Sequence, residues 1–139
     1  MMQDDLLLDW RSVLGNVLLA PELERVLPAK EKALQLLEDV GLKGYEKFYP
    51  DQLSGGMRQR VSLARALMFR RKFILLDEPF GALDLDKRRE MYVLVKDLRQ
   101  KYGLTILFIT HHMSDAMELG DRIYSLDDGK VVVQEAALC

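Results

Sequence analysis

Phe73-Ile74-Leu75-Leu76-Asp77-Glu78-Pro79 decides how the chain is read. Four consecutive apolar residues run into two adjacent carboxylates and a proline breaker. An unbroken apolar run of this length predicts a parallel strand covered on both faces. In sheets of that kind ligands bind beyond the carboxyl ends of the strands, where Asp77 and Glu78 fall. On the far side of a helical segment at 85–100, carried by Met91, Leu94, Val95 and Leu98, Leu104 to Ile109 has the same character and ends at Thr110-His111-His112. Strand, helix and strand in succession predict an α/β core.

Upstream the pattern is helical. Residues 57–70 place Met57, Val61, Ala64, Leu67 and Met68 on one face, and Ala29 to Val40 does so through Ala33, Leu36, Leu37 and Val40, with Gly41 as a C-cap. A shorter helix follows Ser12 through Val13, Leu14, Val17 and Leu18, with Pro21 and Pro28 in the connection beyond. At the other end, 122–126 and 130–133 flank Asp127-Asp128-Gly129 as a hairpin. The expected organisation is a mostly helical part, residues 1–70, followed by the α/β part, residues 71–139.

Composition sets the boundaries. The 139 residues are 49% hydrophobic and 30% charged, the profile of one soluble globular domain. Twenty-two acidic residues against 20 basic ones leave a net charge of -2, which gives no general attraction to nucleic acid or anionic lipid. The only cysteine, Cys139, excludes an internal disulfide. Neither apolar run approaches the roughly 18 residues of a spanning helix.

Three stretches carry chemistry. In Leu53-Ser54-Gly55-Gly56-Met57-Arg58 a glycine pair opens a helix, a geometry that favours phosphate through free N–H groups and the positive dipole end; alone, it reads equally well as a serine N-cap. Asp77 is placed to hold Mg²⁺ and Glu78 to face an attacking water, although an acidic strand end followed by a breaker explains the pair by itself. His111, at the end of the second strand, is placed to hydrogen-bond a terminal phosphate. Adjacent histidines in an extended chain point apart, so no metal shared with His112 is expected.

Taken together and in this order, these stretches resemble the nucleotide-binding domain of ABC transporters. Leu53 to Met57 looks like the signature loop, Phe73 to Glu78 like the Walker B strand, Gly81-Ala82-Leu83-Asp84 like the D-loop, His111 like the switch histidine and Gln3 like the Q-loop glutamine. His112 departs from the acidic residue usual there. The opening from Gln3 through Leu6, Trp10 and Asn16 is similar to the nitrate, sulfonate and taurine importers, in which this segment adjoins the membrane partner.

The resemblance implies a partial P-loop NTPase-type α/β fold with a mostly parallel sheet and a helical signature subdomain, binding ATP and Mg²⁺. It implies catalytic Glu78 and His111, nucleotide contacts from Gln3, Ser54, Gly55, Gly56 and Asp84, and Mg²⁺ held by Asp77 and Gln3 when ATP is bound. Its partners would be a second nucleotide-binding subunit, head to tail, and a transmembrane permease that keeps it on the inner face of the cell membrane. No nucleic acid is expected. No Gly-x-x-x-x-Gly-Lys-Ser/Thr loop occurs in the 139 residues. The family places that loop before the Q-loop, so the expectation is a chain that starts after it, exposes apolar strand edges near Phe73 and is inactive alone. The alternative is a chromosome or DNA-repair ATPase of the same superfamily, suggested by Arg58, Arg60, Arg65, Arg70 and Arg71.

Overall fold

The computed structural model describes residues 6–25, 30–81 and 83–134. Gln3 and Ala82, and the loop proline Pro28, lie outside the described residues. Two short helices, α1 (Val13–Val17) and α2 (Leu19–Leu23), open the chain, followed by α3 (Lys30–Asp39), a 3₁₀ turn at Pro50–Gln52 and α4 (Gly55–Met68). Then come β1 (Phe73–Asp77), α5 (Leu85–Tyr102), β2 (Thr105–Ile109), α6 (Met113–Leu119), β3 (Ile123–Asp127) and β4 (Lys130–Gln134).

Local sequence explains most boundaries. The Ser12 hydroxyl accepts from Gly15 N at 3.2 Å and starts α1. Helix α3 ends in a Schellman arrangement: Leu42 N donates to Leu37 O at 2.7 Å, Gly41 N donates to Glu38 O at 2.9 Å, and Gly41 takes φ +72°. Asp84 caps α5 by accepting from Lys87 N, and Gly103, at φ +60°, closes it. Asp128 and Gly129, with φ +44° and +73°, give the consecutive left-handed residues of a two-residue hairpin turn between β3 and β4.

Strands β1 and β2 pair in parallel, Phe73 opposite Thr105 through Asp77 opposite Ile109, with α5 as the crossover. The pair is not covered on both faces as its apolar run predicts: Ile74 and Leu76 are buried, but Phe73 and Leu75 are 58% and 45% exposed, and Leu107 and Ile109 are 48% and 46% exposed. The buried side joins one continuous core with Val13, Leu36, Val61, Phe80, Met91 and Leu98, so helical and strand parts share their hydrophobic interior. A polar clamp closes that junction. Asp39, at the end of α3, accepts from Tyr102 Oη, from Lys101 Nζ at 2.7 Å and from Gln35 Nε2 at 2.9 Å, while Lys32 Nζ sits 4.3 Å from the centre of the Tyr102 ring.

Burial acts to raise the Asp39 carboxyl, but the hydrogen bonds from Lys101, Tyr102 and Gln35 outweigh it and hold the group below its ordinary 3.8. A depressed folded value stabilises the fold above the unfolded value near 3.8, and that contribution is lost as pH falls through the folded one. Asp39→Asn is therefore expected to lower stability by about 1–3 kcal/mol at pH 7. Urea melts at pH 7 and pH 3 should show its deficit shrinking at the lower pH.

Candidate functional site

The carboxyl ends of β1 and β2 converge on Glu78 and His111. Glu78 N donates to Ile109 O at 2.9 Å, continuing the ladder one step past β1 and fixing the acidic residue against the end of β2. Its backbone then turns into the left-handed region, φ +46°, which a residue with a Cβ adopts at a cost of roughly 1–3 kcal/mol. The turn brings Glu78 Oε1 within 2.7 Å of His111 Nδ1. In the neutral ring, a hydrogen on Nδ1 donated to the carboxylate leaves Nε2 as the acceptor. The Glu78 side chain is only 18% exposed, and Oε2 is buried with no hydrogen-bond partner among the described residues. A carboxylate oriented by a ring on one oxygen and unmet on the other is arranged to accept a proton or a water hydrogen. Asp77, half-buried, is the last residue of β1.

The two histidine rings do not diverge as the extended-chain reading has it: their centroids are 4.0 Å apart. Strand β2 ends at Ile109, so side-chain alternation does not apply to His111 and His112. Behind His111 lies a buried network that the sequence reading missed. Asp115 is 1% exposed and accepts from Tyr92 Oη, from Thr110 Oγ1 at 3.0 Å and from Arg88 Nη1 at 3.5 Å. Thr110 Oγ1 in turn accepts from His112 N at 3.0 Å. Burial and then the Asp115 hydrogen bond push the Tyr92 hydroxyl up to about 12, so it remains a donor at neutral pH. Helix α6 spans only 7 residues, too few for periodicity to mark Asp115 as inward-facing.

The glycine turn forms a separate element. Ser54 is the N-cap of α4, its hydroxyl accepting from Met57 N at 3.3 Å, so the serine-cap reading holds locally. Gly55 and Gly56 are already helical, two residues earlier than the apolar periodicity indicates. Among the described residues a Cβ at Gly55 would meet only Arg58 Nη2 at 3.9 Å, and one at Gly56 only Leu83 Cδ2 at 3.7 Å, so the backbone there remains open to approach. Leu83, in the segment leading to Asp84, therefore lies beside this turn. Asp84 serves α5 as its cap, and the Lys87 backbone amide, then the Lys87 side chain 3.1 Å away, keep its carboxyl below its ordinary value. No hydrogen bond joins Ser54 to Glu78 or His111 among the described residues.

Four of the five arginines behind the alternative reading are engaged within the chain: Arg58 donates to Leu53 O, Arg60 to Glu90, Arg65 to Leu6 O and Arg71 to Glu24. No helix among the described residues is long and apolar enough to cross a membrane.

A family model described as ABC transporter matches residues 1–81. The aliphatic sulfonates import ATP-binding protein SsuB 2 of Agrobacterium fabrum (strain C58) is 44% identical over 135 residues, covering 96% of this chain and 50% of that protein. The aliphatic sulfonates import ATP-binding protein SsuB 1 of Rhodococcus jostii (strain RHA1) is 48% identical over 128 residues, covering 92% of this chain and 50% of its own length. Among solved structures, a chain described as a metal-chelate type ABC transporter in an inward-facing conformation superposes with a TM-score of 0.87 at 30% identity, over 97% of this chain and 56% of that one. The chain thus spans about half the length of the curated relatives it matches. A parallel strand pair ending in Glu78 and His111, an open glycine turn at the head of α4, and a family match covering more than half of the sequence agree with one another, and on that agreement the chain belongs to the ABC transporter family.

Proposed function

We propose that this chain is the portion of an ATP-hydrolysing transport subunit that carries the signature turn, the hydrolytic carboxylate and its histidine. The observation that supports this most is the 2.7 Å contact between Glu78 and His111 at the carboxyl ends of paired parallel strands, with Glu78 Oε2 buried and unmet. ATP with Mg²⁺, when bound, supplies the phosphoryl group and neutralises its charge. The residues present fit such a ligand: the orphaned Glu78 oxygen suits a water to be oriented, and the open backbone at Gly55 suits an anion. Asp77 is the Mg²⁺ ligand in this reading, together with Gln3. Residues 1–70 form the unit that faces a partner, and residues 71–139 belong to the hydrolytic core.

The partners are a second nucleotide-binding subunit, met head to tail by Ser54, Gly55, Gly56 and Asp84, and a permease that holds the chain at the inner membrane face. Sulfonate import is the transport reaction that the two named relatives support. Calorimetry with a non-hydrolysable ATP analogue and Mg²⁺ tests the reading. The chain alone is expected to bind negligibly, because its sequence holds no phosphate-cradling loop. Mixed with a full-length relative that has one, it should increase nucleotide retention. Binding by the chain alone, or a mixture no better than the relative by itself, would overturn this assignment of roles.

A further inference from the structure

We propose that Asp115 and Thr110 are positioning residues that hold the His111 ring against Glu78 and fasten both to α5. The proposal rests on the hydrolytic reading of Glu78 and His111 for its significance, but its geometry stands independently. His111 itself is 65% exposed, and among the described residues it meets the Glu78 carboxylate and the His112 ring. Its orientation is therefore decided by the backbone on either side, and Asp115 acts on both sides. On the amino side, Thr110 Oγ1 donates to Asp115 Oδ2 at 3.0 Å. On the carboxyl side, His112 N donates back to Thr110 Oγ1 at 3.0 Å, while Asp115 N donates to His112 O at 3.1 Å. The hydroxyl is thus a donor to the carboxylate and an acceptor from the peptide following His111, a pair of roles that valine cannot fill and serine can.

Asp115 is itself held from α5, through Tyr92 Oη on Oδ1 and Arg88 Nη1 at 3.5 Å. Arg88 also donates to Leu83 O at 3.4 Å, so a single guanidinium joins Asp115 to the segment that carries Asp84. A carboxylate buried to 1% exposure, with three donors, two from α5 and one from the segment after β2, has few alternative arrangements. Through it, any movement of the Asp84 segment is communicated to the peptide that aims His111.

The test uses nuclear magnetic resonance on the full 139-residue chain. Glu78→Gln should shift the His111 ring nitrogen resonances in the native background. In a Thr110→Val background the same substitution should leave them nearly unmoved, and His112 amide exchange should speed up by about tenfold or more. Thr110→Ser should restore both signals. The Asp39–Tyr102 clamp, on the opposite end of α5, serves as an internal control and should not change. If Thr110→Val does not fold, Asp115→Asn preserves shape while replacing one acceptor by a donor, and it should cause the same loss of coupling. Persistence of the Glu78-dependent shift in either variant, or failure of serine to restore it, would overturn the proposal. Because these signals report ring placement, a negative result leaves the nucleotide reading intact, and a failed nucleotide-binding experiment leaves this one intact.

Discussion

Replacing Phe80 with alanine is expected to lower stability by about 3–5 kcal/mol, a large share of the roughly 5–15 kcal/mol that holds a domain of this kind together. Phe80 is 1% exposed and stands two residues beyond Glu78. Its ring meets Tyr92 edge-on at 5.3 Å and Phe108 at 5.4 Å, so it fills the space between the acidic strand end, α5 and β2. The surroundings are fixed by Tyr92's bond to Asp115 and cannot collapse freely into the gap, which puts the cost toward the upper end of that range. Urea denaturation provides the measurement, and Phe80→Leu should recover more than half of the loss. A cost below about 1 kcal/mol would mean that the site relaxes around the cavity.

The second large effect is expected at Asn16. Its side chain is wholly buried, accepts from Leu8 N at 2.8 Å and donates to the carbonyls of Leu8, Arg11 and Ser12, each at 3.1 Å. One amide therefore organises the loop that leads into α1. Asn16→Ala should cost roughly 3 kcal/mol, since the truncation leaves buried backbone groups without partners. Asn16→Asp separates the causes: it leaves no cavity, yet points carboxylate oxygens at three carbonyls. It should destabilise at least as much as alanine at pH 7 if the donor is what matters. Thermal melts of the two variants read the difference directly.

The apolar runs at Phe73 and Leu104 and the glycine stop at Gly41 made the elements legible, because each depends on residues close in sequence. Glu78 and His111 were each legible as residues just past the carboxyl end of a strand, but not as a contacting pair. What escaped was contact across elements. Asn16 does leave a trace, as a polar residue on the apolar stripe of Val13, Val17 and Ala20, but its partners lie upstream in a loop with no period. Asp115 leaves none, since its donors come from positions 88, 92 and 110 and only the folded chain brings them together. The unfilled outer face of β1 and β2 also escaped: a run of apolar residues specifies a strand without specifying what covers it.

Helix α5 spans 18 residues, about 27 Å from end to end. One end is capped by Asp84 and the other is clamped to α3 at Asp39, with the Arg60–Glu90 bridge to α4 and the Asp115 bonds in between. It therefore works as a tie rod. A load applied near Asp84 is met by a helix held along its length, since Lys96–Glu118 and Arg99–Asp121 add bridges to its second half. The anchors differ in strength: the exposed bridges Arg60–Glu90, Lys96–Glu118 and Arg99–Asp121 contribute little, whereas the Asp115 cluster is buried. Raising the salt concentration therefore loosens the exposed bridges and leaves the buried Asp115 cluster in place.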